Sequence, residues 1–220
     1  FQRRKGAPSD GQGSFVLSHG KVTFISPPLP PVAHSPPNSW LFETSAIVTY
    51  IDLIYPDQPT LHNPEEEERN PLGQVRVKQW MSFVSDYVFN VLENHLIKPS
   101  TTLLQKNKNP DDSHEHQEEV RALQKFIQEG YTKSQEVLQV IEDHLEQQQG
   151  NGEFFLGKMT WVDLYLAPII ADCHAVSLSR GLLEEFPFLK QWFVHFSKQE
   201  CFRQTYTGSL SQVLLDPDHH

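Results

Sequence analysis

Apolar side chains recur every three or four residues along two long stretches of the sequence, and this spacing lines one face of an α-helix. In the first stretch these positions are Val77, Trp80, Met81, Val84, Tyr87, Val88, Val91 and Leu92. In the second stretch they are Val120, Leu123, Ile127, Leu138, Ile141 and Leu145. A break at 71–73 is predicted to precede the first helix. The polar segment 105–117 is typical of a loop, so the pattern predicts an antiparallel helix pair.

A third apolar segment, 162–171, has almost no polar face, which is typical of a helix in the middle of a core. Pro168 lies inside this segment and is predicted to kink the helix. Just before it, Thr160 and Asp163 have the spacing of a reciprocal helix cap, with Asp in place of the usual Glu. We expect both residues to hold the first turn of this helix, and Asp163→Ala to cost roughly 0.5–2 kcal/mol of stability.

The front of the chain has a different pattern. Residues 21–25 combine Val, Thr, Phe and Ile, which is typical of a strand. Prolines crowd the stretch 27–37 and predict a rigid loop or polyproline II segment, with a docking peptide for an SH3-type partner as the alternative. From Glu43 the apolar spacing becomes helical again, and Tyr55-Pro56-Asp57 is predicted to end this helix.

Together these elements predict an α+β chain that is mostly helical. The 220 residues are enough for one or two modest domains with a buried core. We divide the chain into a short strand-containing part, 1–60, and an all-helical domain, 61–220.

The charge and the cysteine content of the chain limit which partners and which cellular compartment we expect for the protein. The chain carries 28 acidic and 18 basic residues, and this formal net charge of -10 repels the phosphate backbone of nucleic acids. No apolar run is long enough to span a bilayer, and no secretory leader is visible, although the sequence begins with Phe1 rather than Met. Cys173 and Cys201 form no CxxC pair, so we expect a reduced, cytoplasmic setting.

Three segments together resemble glutathione S-transferases. Residues 41–51 are similar to the family's "E-S-x-A-I" strand end and the helix that follows it. Residues 155–157, followed by Thr160 and Asp163, are similar to "F-L-x-G-x-x-[ST]-x-x-D" at the start of the family's central helix. Residues 186–192 are similar to its "yPxLxxW" segment. Because the order and spacing of these segments also agree, the chain resembles a divergent or N-terminally incomplete member of the superfamily.

This resemblance implies a fold for both parts of the chain. It implies a reduced thioredoxin-like, glutathione-binding part in residues 1–60, followed by the all-α C-terminal domain of glutathione transferases in 61–220. A complete strand-helix-strand unit needs roughly 30 residues, whereas 19 residues precede Gly20. Because no Tyr or Cys lies among those residues, the catalytic group that stabilises the glutathione thiolate is not identified.

The resemblance also assigns contacts to glutathione. The family's Glu-Ser pair binds the γ-glutamyl end, and it corresponds to Glu43 and Thr44 in this chain. A carboxylate and a hydroxyl beside the free N–H groups of a helix start suit the two charges of an α-amino acid, with a plain helix cap as the alternative. Residues 20–23 are similar to the family's "G-K-V-P", which implies a backbone contact from Val22 to the cysteinyl part. Thr23 replaces the family's cis-proline, and a cis bond before it would be costly.

In the same way, the resemblance implies that the first long helix lines the pocket for the second substrate. Trp80, Phe83 and Tyr87 are the candidates on that helix, with core packing as the alternative for each of them. A metal site in the segment 114–116 is not expected, because histidines two positions apart face different sides of a helix. We expect no metal and no cofactor. The resemblance implies that glutathione is a co-substrate.

Two hypotheses for the function follow. The first is a glutathione transferase, an enzyme in which the thiolate of bound glutathione attacks a small electrophile. We expect it to be a cytoplasmic homodimer that engages neither nucleic acid nor membrane. The second is a non-catalytic interaction module on the same fold, as in the gamma subunit of elongation factor 1 or in synthetase complexes. The short front part, Thr23 and the proline-rich stretch favour this second hypothesis.

Overall fold

The computed structural model describes residues 43–55, 61–62, 71–108 and 113–206. The chain divides into two units, Phe1–Thr60 and Leu61–His220, and each is described by itself. Val22, the predicted strand and the proline-rich stretch lie outside the described residues. The thioredoxin-like part therefore stays a prediction, whereas the described residues of the second unit show its helical architecture.

In the first unit the described element is helix α1, Thr44–Ile54. The predicted helical spacing after Glu43 is confirmed, and Ile47 and Val48 are the buried residues of this helix. The helix ends at Tyr55, whose φ and ψ of -121° and 58° are no longer helical. Tyr55 precedes a proline, and the proline ring disfavours helical backbone at the residue before it.

The described part of the second unit is helical except for the turns between its helices. Its α-helices are α2 (Pro71–Phe83), α3 (Phe89–Val91), α4 (Lys98–Lys108), α5 (His114–Gln147), α6 (Trp161–Ala175), α7 (Ser177–Arg180), α8 (Pro187–Phe196) and α9 (Glu200–Thr205). A 3-10 segment, Gly181–Glu185, joins α7 to the turn before α8. The prediction of an all-helical domain in this part of the chain is confirmed.

Helices α2, α3 and α4 form one uninterrupted stretch, 71–108, because two π-helical segments link them. These segments are Val84–Val88 and Leu92–Ile97. A π segment replaces the usual i→i+4 hydrogen bonds by i→i+5 bonds and so changes which side chains face the core. Tyr87, which the apolar spacing assigned to the core face, is 60% exposed, so that part of the prediction is wrong.

The ends of the two long helices also differ from the sequence prediction. No break separates 71–73 from the first long helix, because α2 begins at Pro71 and Gly73 is buried within it. The predicted loop 105–117 is shorter than expected, since α4 continues to Lys108 and α5 begins at His114. The polar residues at these ends are solvated helix positions, and Lys106 pairs with Glu119 across them at 2.6 Å.

Helix α5 packs directly on the second π segment. The contact is made at Gly130, which is buried against the carbonyl of His95. A Cβ atom at Gly130 would lie 1.9 Å from the His95 oxygen, which is far inside van der Waals contact. The ring of His95 stacks on Phe126 one turn earlier in α5, at a centroid distance of 5.4 Å. The absence of a side chain at Gly130 therefore sets how closely the two long helices approach.

Helix α6 is the central helix of this unit, as its apolar sequence predicts. Most of its residues are buried, including Val162, Leu166, Ile169, Ile170 and Cys173. Pro168 lies inside the helix at an exposed position, and the helix continues past it. Among the described residues no single helix could span a membrane. The pair Trp161–Ala175 and Ser177–Glu185 has the required apolar length only together, across a bend of 111°.

The first turn of α6 is organised by the buried carboxylate of Asp163. It accepts hydrogen bonds from the Thr160 N–H at 2.9 Å and the Thr160 hydroxyl at 3.2 Å. The Phe155 N–H donates to it at 2.8 Å, and the indole N–H of Trp192 donates at 2.9 Å. Asp163 thus joins the start of α6 to the preceding turn and to α8, which is more than a helix cap requires.

The turn before α6 also depends on glycine. Gly157 has a φ of 85°, a region that residues with a side chain rarely adopt. Gly152, with a φ of 133°, faces the carbonyl of Gly157, and a Cβ atom on Gly152 would lie 2.1 Å from that oxygen. These glycines allow the turn to fold tightly enough to bring the Phe155 N–H to Asp163.

A second buried carboxylate holds α8 against α5. The two oxygens of Glu142 accept from the N–H groups of Phe188 and Leu189, at 2.9 and 2.8 Å. These N–H groups belong to the first turn of α8 and have no partner within the helix, so a carboxylate satisfies them and suits the positive end of the helix dipole.

We expect Gly130→Ala to destabilise the protein strongly. The added methyl group must displace the backbone of the π segment, and overpacking of this kind costs about 3 kcal/mol. The matched control is Gly181→Ala, because a Cβ atom there meets nothing within 4 Å. The control should leave the free energy of unfolding unchanged or raise it by up to about 1 kcal/mol. Equal effects of the two changes in urea denaturation would contradict the close approach.

Asp163→Ala should lower the free energy of unfolding by about 3 kcal/mol, above the range expected for a cap alone, because it leaves several buried donors without an acceptor. Trp192→Phe removes one of those donors and should cost about 1 kcal/mol. Asp143→Ala removes an exposed carboxylate from α5 and should stay within about 0.5 kcal/mol of the wild type. A loss for Asp163→Ala no larger than that for Asp143→Ala in urea denaturation would contradict this role.

Candidate functional site

Glu43 and Thr44 lie at the amino end of α1, where the sequence predicts the γ-glutamyl site. The carbonyl of Glu43 accepts from the N–H groups of Ala46 and Ile47, at 3.1 and 3.0 Å, and so closes the first turn. The side chain of Glu43 makes no capping hydrogen bond to the helix, and the side chains of Glu43 and Thr44 are both exposed. The alternative role of Glu43 as a side-chain cap is therefore not observed.

The backbone of Glu43 is strained. Its φ of 67° and ψ of 121° make it the one non-glycine residue with a positive φ among those that the structure describes. A residue with a Cβ atom in such a conformation costs about 1–3 kcal/mol, and residues of this kind cluster at functional sites.

The chemistry of this helix start suits a ligand that carries both a carboxylate and an ammonium group. The first N–H groups of a helix have no partner within it, and the dipole adds positive potential, so a carboxylate is favoured beside them. The Thr44 hydroxyl can donate to the same anion or accept from a neighbouring donor. The Glu43 carboxylate can accept from an ammonium group. An α-amino acid end presents both partners.

The structure brings the three candidates for the second-substrate pocket into one aromatic row. The ring of Trp80 meets Phe83 edge-on at 5.6 Å, and Phe83 stacks on Tyr87 at 5.6 Å. Trp80 and Phe83 are half-buried, whereas Tyr87 is exposed. The row therefore runs from the core to the surface along the long helix 71–108, with its outer end open to a flat apolar molecule.

Two residues that the sequence analysis did not single out support the inner end of this row. The rings of His144 and Phe155 lie 4.5 and 4.9 Å from that of Trp80 and 4.7 Å from each other. The Nε2 atom of His144 lies 3.1 Å from the carbonyl of Phe155. Burial lowers the pKa of His144, because the charged imidazolium is poorly solvated there. In the sequence, His144 lies between the apolar positions Ile141 and Leu145 of α5, and this position could have indicated that its ring is partly buried.

The remaining sequence candidates are buried in the helical unit or lie outside the described residues. Val22 belongs to the latter group. Thr160 and Asp163 are buried in the core, where a substrate cannot reach them. Burial raises the pKa of the Cys173 thiol to about 12, so this residue is not a thiolate nucleophile. Within the described ranges, no three potential ligands among His, Cys, Asp and Glu come together to hold a metal ion.

Comparison with known proteins identifies the helical unit. The family model of the glutathione S-transferase C-terminal domain matches residues 113–200. No curated protein matches the sequence. The resemblance found in the sequence motifs is confirmed for this part of the chain, since residues 113–200 match the C-terminal domain of glutathione S-transferases.

Solved structures of glutathione transferases share the fold. Glutathione transferase F1 of poplar is 19% identical with a TM-score of 0.53, covering 84% of this chain and 72% of its own. Glutathione transferase F7 from Populus trichocarpa is 17% identical with a TM-score of 0.55, covering 84% and 73%. A glutathione S-transferase from the Antarctic clam Laternula elliptica is 20% identical with a TM-score of 0.54, covering 90% and 76%. At these identities the likeness establishes the fold alone.

The lowered pKa of His144 predicts a loss of stability in mild acid. Because the folded pKa lies below the ordinary value of 6.5, the folded state favours the neutral ring. The resulting stability is fully present above about pH 6.5 and is lost as the pH falls through the folded pKa. Urea denaturation between pH 8 and pH 5 should show a smaller loss for His144→Gln than for the wild type.

The control is His114→Gln, since His114 is exposed near the start of α5. This variant should keep the pH dependence of the wild type. If His144→Gln loses as much stability between pH 8 and pH 5 as the wild type does, the imidazole does not contribute in this way.

Proposed function

We propose that this protein is a glutathione transferase, which binds glutathione and conjugates it to a small electrophile. The observation that carries the proposal is the strained backbone of Glu43 at the start of α1, with Thr44 beside it. The match of residues 113–200 to the C-terminal domain of glutathione S-transferases supports it, and so does the aromatic row.

The γ-glutamyl end of glutathione would occupy the amino end of α1. Its ammonium group would donate to the Glu43 carboxylate, and its carboxylate would accept from the Thr44 hydroxyl and the first N–H groups of the helix. Val22 would pair its backbone with the cysteinyl part, as the resemblance implies. These contacts orient the thiol without any metal or cofactor.

The reaction would follow from the nucleophile that glutathione carries. The thiol loses its proton to solvent or to a base, the thiolate sulfur forms a bond to the electrophilic carbon, and the leaving group departs with its electron pair. Trp80, Phe83 and Tyr87 would bind the apolar body of the electrophile by stacking. The group that stabilises the thiolate is not among the residues that we assign.

We further propose that the protein acts as a cytoplasmic homodimer, which the resemblance implies. The non-catalytic interaction module remains the other hypothesis from the sequence, and no observation on the described residues favours it. The two functions differ in turnover, because a module of this kind would not conjugate glutathione to 1-chloro-2,4-dinitrobenzene. An absence of turnover by a protein that binds glutathione would therefore favour the module.

The decisive experiment is titration calorimetry with glutathione on the wild type, Glu43→Ala and Thr44→Ala. We expect each change to weaken binding about tenfold, because each removes a hydrogen bond to a charged group. Thr49→Ala is the matched control, since it removes the same side chain from an exposed site on α1. Its affinity should equal that of the wild type. A folded wild type that does not bind glutathione would contradict the proposal.

Glu43→Gly separates the strain from the carboxylate. Glycine adopts a positive φ without steric cost, so this variant should be more stable than Glu43→Ala by about 1 kcal/mol. It should nevertheless bind glutathione no better than Glu43→Ala, because both lack the carboxylate. Binding restored by glycine would mean that the backbone conformation alone makes the site.

A further inference from the structure

A cavity of about 340 Å³ opens at the carboxyl end of α5, between the turn 148–154 and helix α8. Its size lies at the lower end of the range for small-molecule sites. Among the described residues, none of those assigned to glutathione or to the electrophile lines it. The cavity therefore belongs to neither of the two surfaces described above.

About half of the wall of this cavity is apolar. Phe154, Phe188 and Trp192 contribute aromatic rings, and Leu145 of α5 contributes an aliphatic side chain. The indole N–H of Trp192 donates to Asp163, so the polar atom of that ring is already bound inside the core. Phe154 is held in place by an edge-on contact with the ring of His195, at 5.2 Å. This apolar part of the wall is suited to a ring or short alkyl chain.

Glu153 contributes the one carboxylate among the described residues that line the cavity. The carboxylate of Glu153 is 76% exposed, and it lies 3.4 Å from the Nε2 atom of His195. Of the eleven described residues that line the cavity, none is lysine or arginine. The cavity also lies at the carboxyl end of the long helix α5, where the helix dipole adds negative potential. These sources of potential attract a cation and repel an anion.

We propose that this cavity binds a small organic cation, an ammonium group attached to an aromatic or short alkyl body. The ammonium group donates to the Glu153 carboxylate, and the body packs against Phe154, Phe188 and Trp192. Aromatic walls add cation–π attraction to the ion pair. The side-chain amides of Gln148 and Gln191 at the cavity accept further N–H donors. Neither Glu43 nor Thr44 lines this site, and its binding of a cation does not depend on the proposed transferase activity.

The test uses 2-phenylethylammonium, with 2-phenylethanol as the neutral and phenylacetate as the anionic probe of similar shape. Titration of the isotope-labelled full chain, followed by amide NMR shifts, gives both the affinity and the location. We expect the cation to bind most tightly and the anion most weakly, with shifts confined to 145–154 and 188–195. Glu153→Gln should weaken binding of the cation about tenfold and leave binding of the neutral probe unchanged.

Two matched variants make the test specific. Glu146→Gln removes an exposed carboxylate near the same end of α5 without lining the cavity, so it should bind the cation like the wild type. Gln191→Trp places bulk in the cavity from an exposed position and should abolish binding of the cation and of the neutral probe. Far-ultraviolet circular dichroism confirms that each variant is folded.

Several results would overturn the proposal. They are an absence of binding by the folded wild type, equal affinities for the three probes, shifts outside the cavity, or an equal loss in Glu146→Gln and Glu153→Gln. Competition by glutathione would also overturn it, because it would make the cation a ligand of the glutathione site. Unchanged binding of the cation to Glu43→Ala supports two separate sites.

Discussion

The fold of the helical unit depends on how one buried carboxylate is satisfied. Burial raises the pKa of the Asp163 carboxyl, whereas the donors from Phe155, Thr160 and Trp192 oppose that rise. An unpaired carboxylate in a core would be costly, so the donors must stay in place for the carboxylate to be tolerated there. They come from the preceding turn, the helix start and α8, and satisfying one side chain therefore fixes the relative positions of three elements.

Both candidate ligand surfaces of this unit are anchored to that carboxylate. Phe155, whose N–H is bound by Asp163, places its ring against Trp80 and its carbonyl beside His144. Trp192, whose indole is bound by the same carboxylate, lines the cavity at the end of α5. The aromatic row and the cavity thus stand on rigid supports, which reduces the ordering cost of binding a ligand at either one.

The sequence was sufficient to predict the features that depend on the spacing of residues close together in the chain. Apolar periodicity located α1, the two long helices and the central helix, and the spacing of Thr160 and Asp163 located the start of α6. The sequence could not reveal the π segments, because its apolar residues keep the spacing of three and four that is typical of an ordinary α-helix. In the structure, the i→i+5 hydrogen bonds of the first π segment turn Tyr87 outward. The sequence could not pair Glu153 with His195 either, since only the packing of α8 on the end of α5 brings these distant residues together.

The conformation of Glu43 is the feature that local rules predict least well. A positive φ is cheap for glycine, so a helix start that needed only this backbone shape would be more stable with glycine at this position. Glutamate supplies a carboxylate that glycine lacks, yet this carboxylate does not cap the helix. No hydrogen bond from the Glu43 side chain to its own helix therefore offsets the energetic cost of the strained backbone. The exposed carboxylate is therefore the group that we propose to pair with the ammonium group of glutathione.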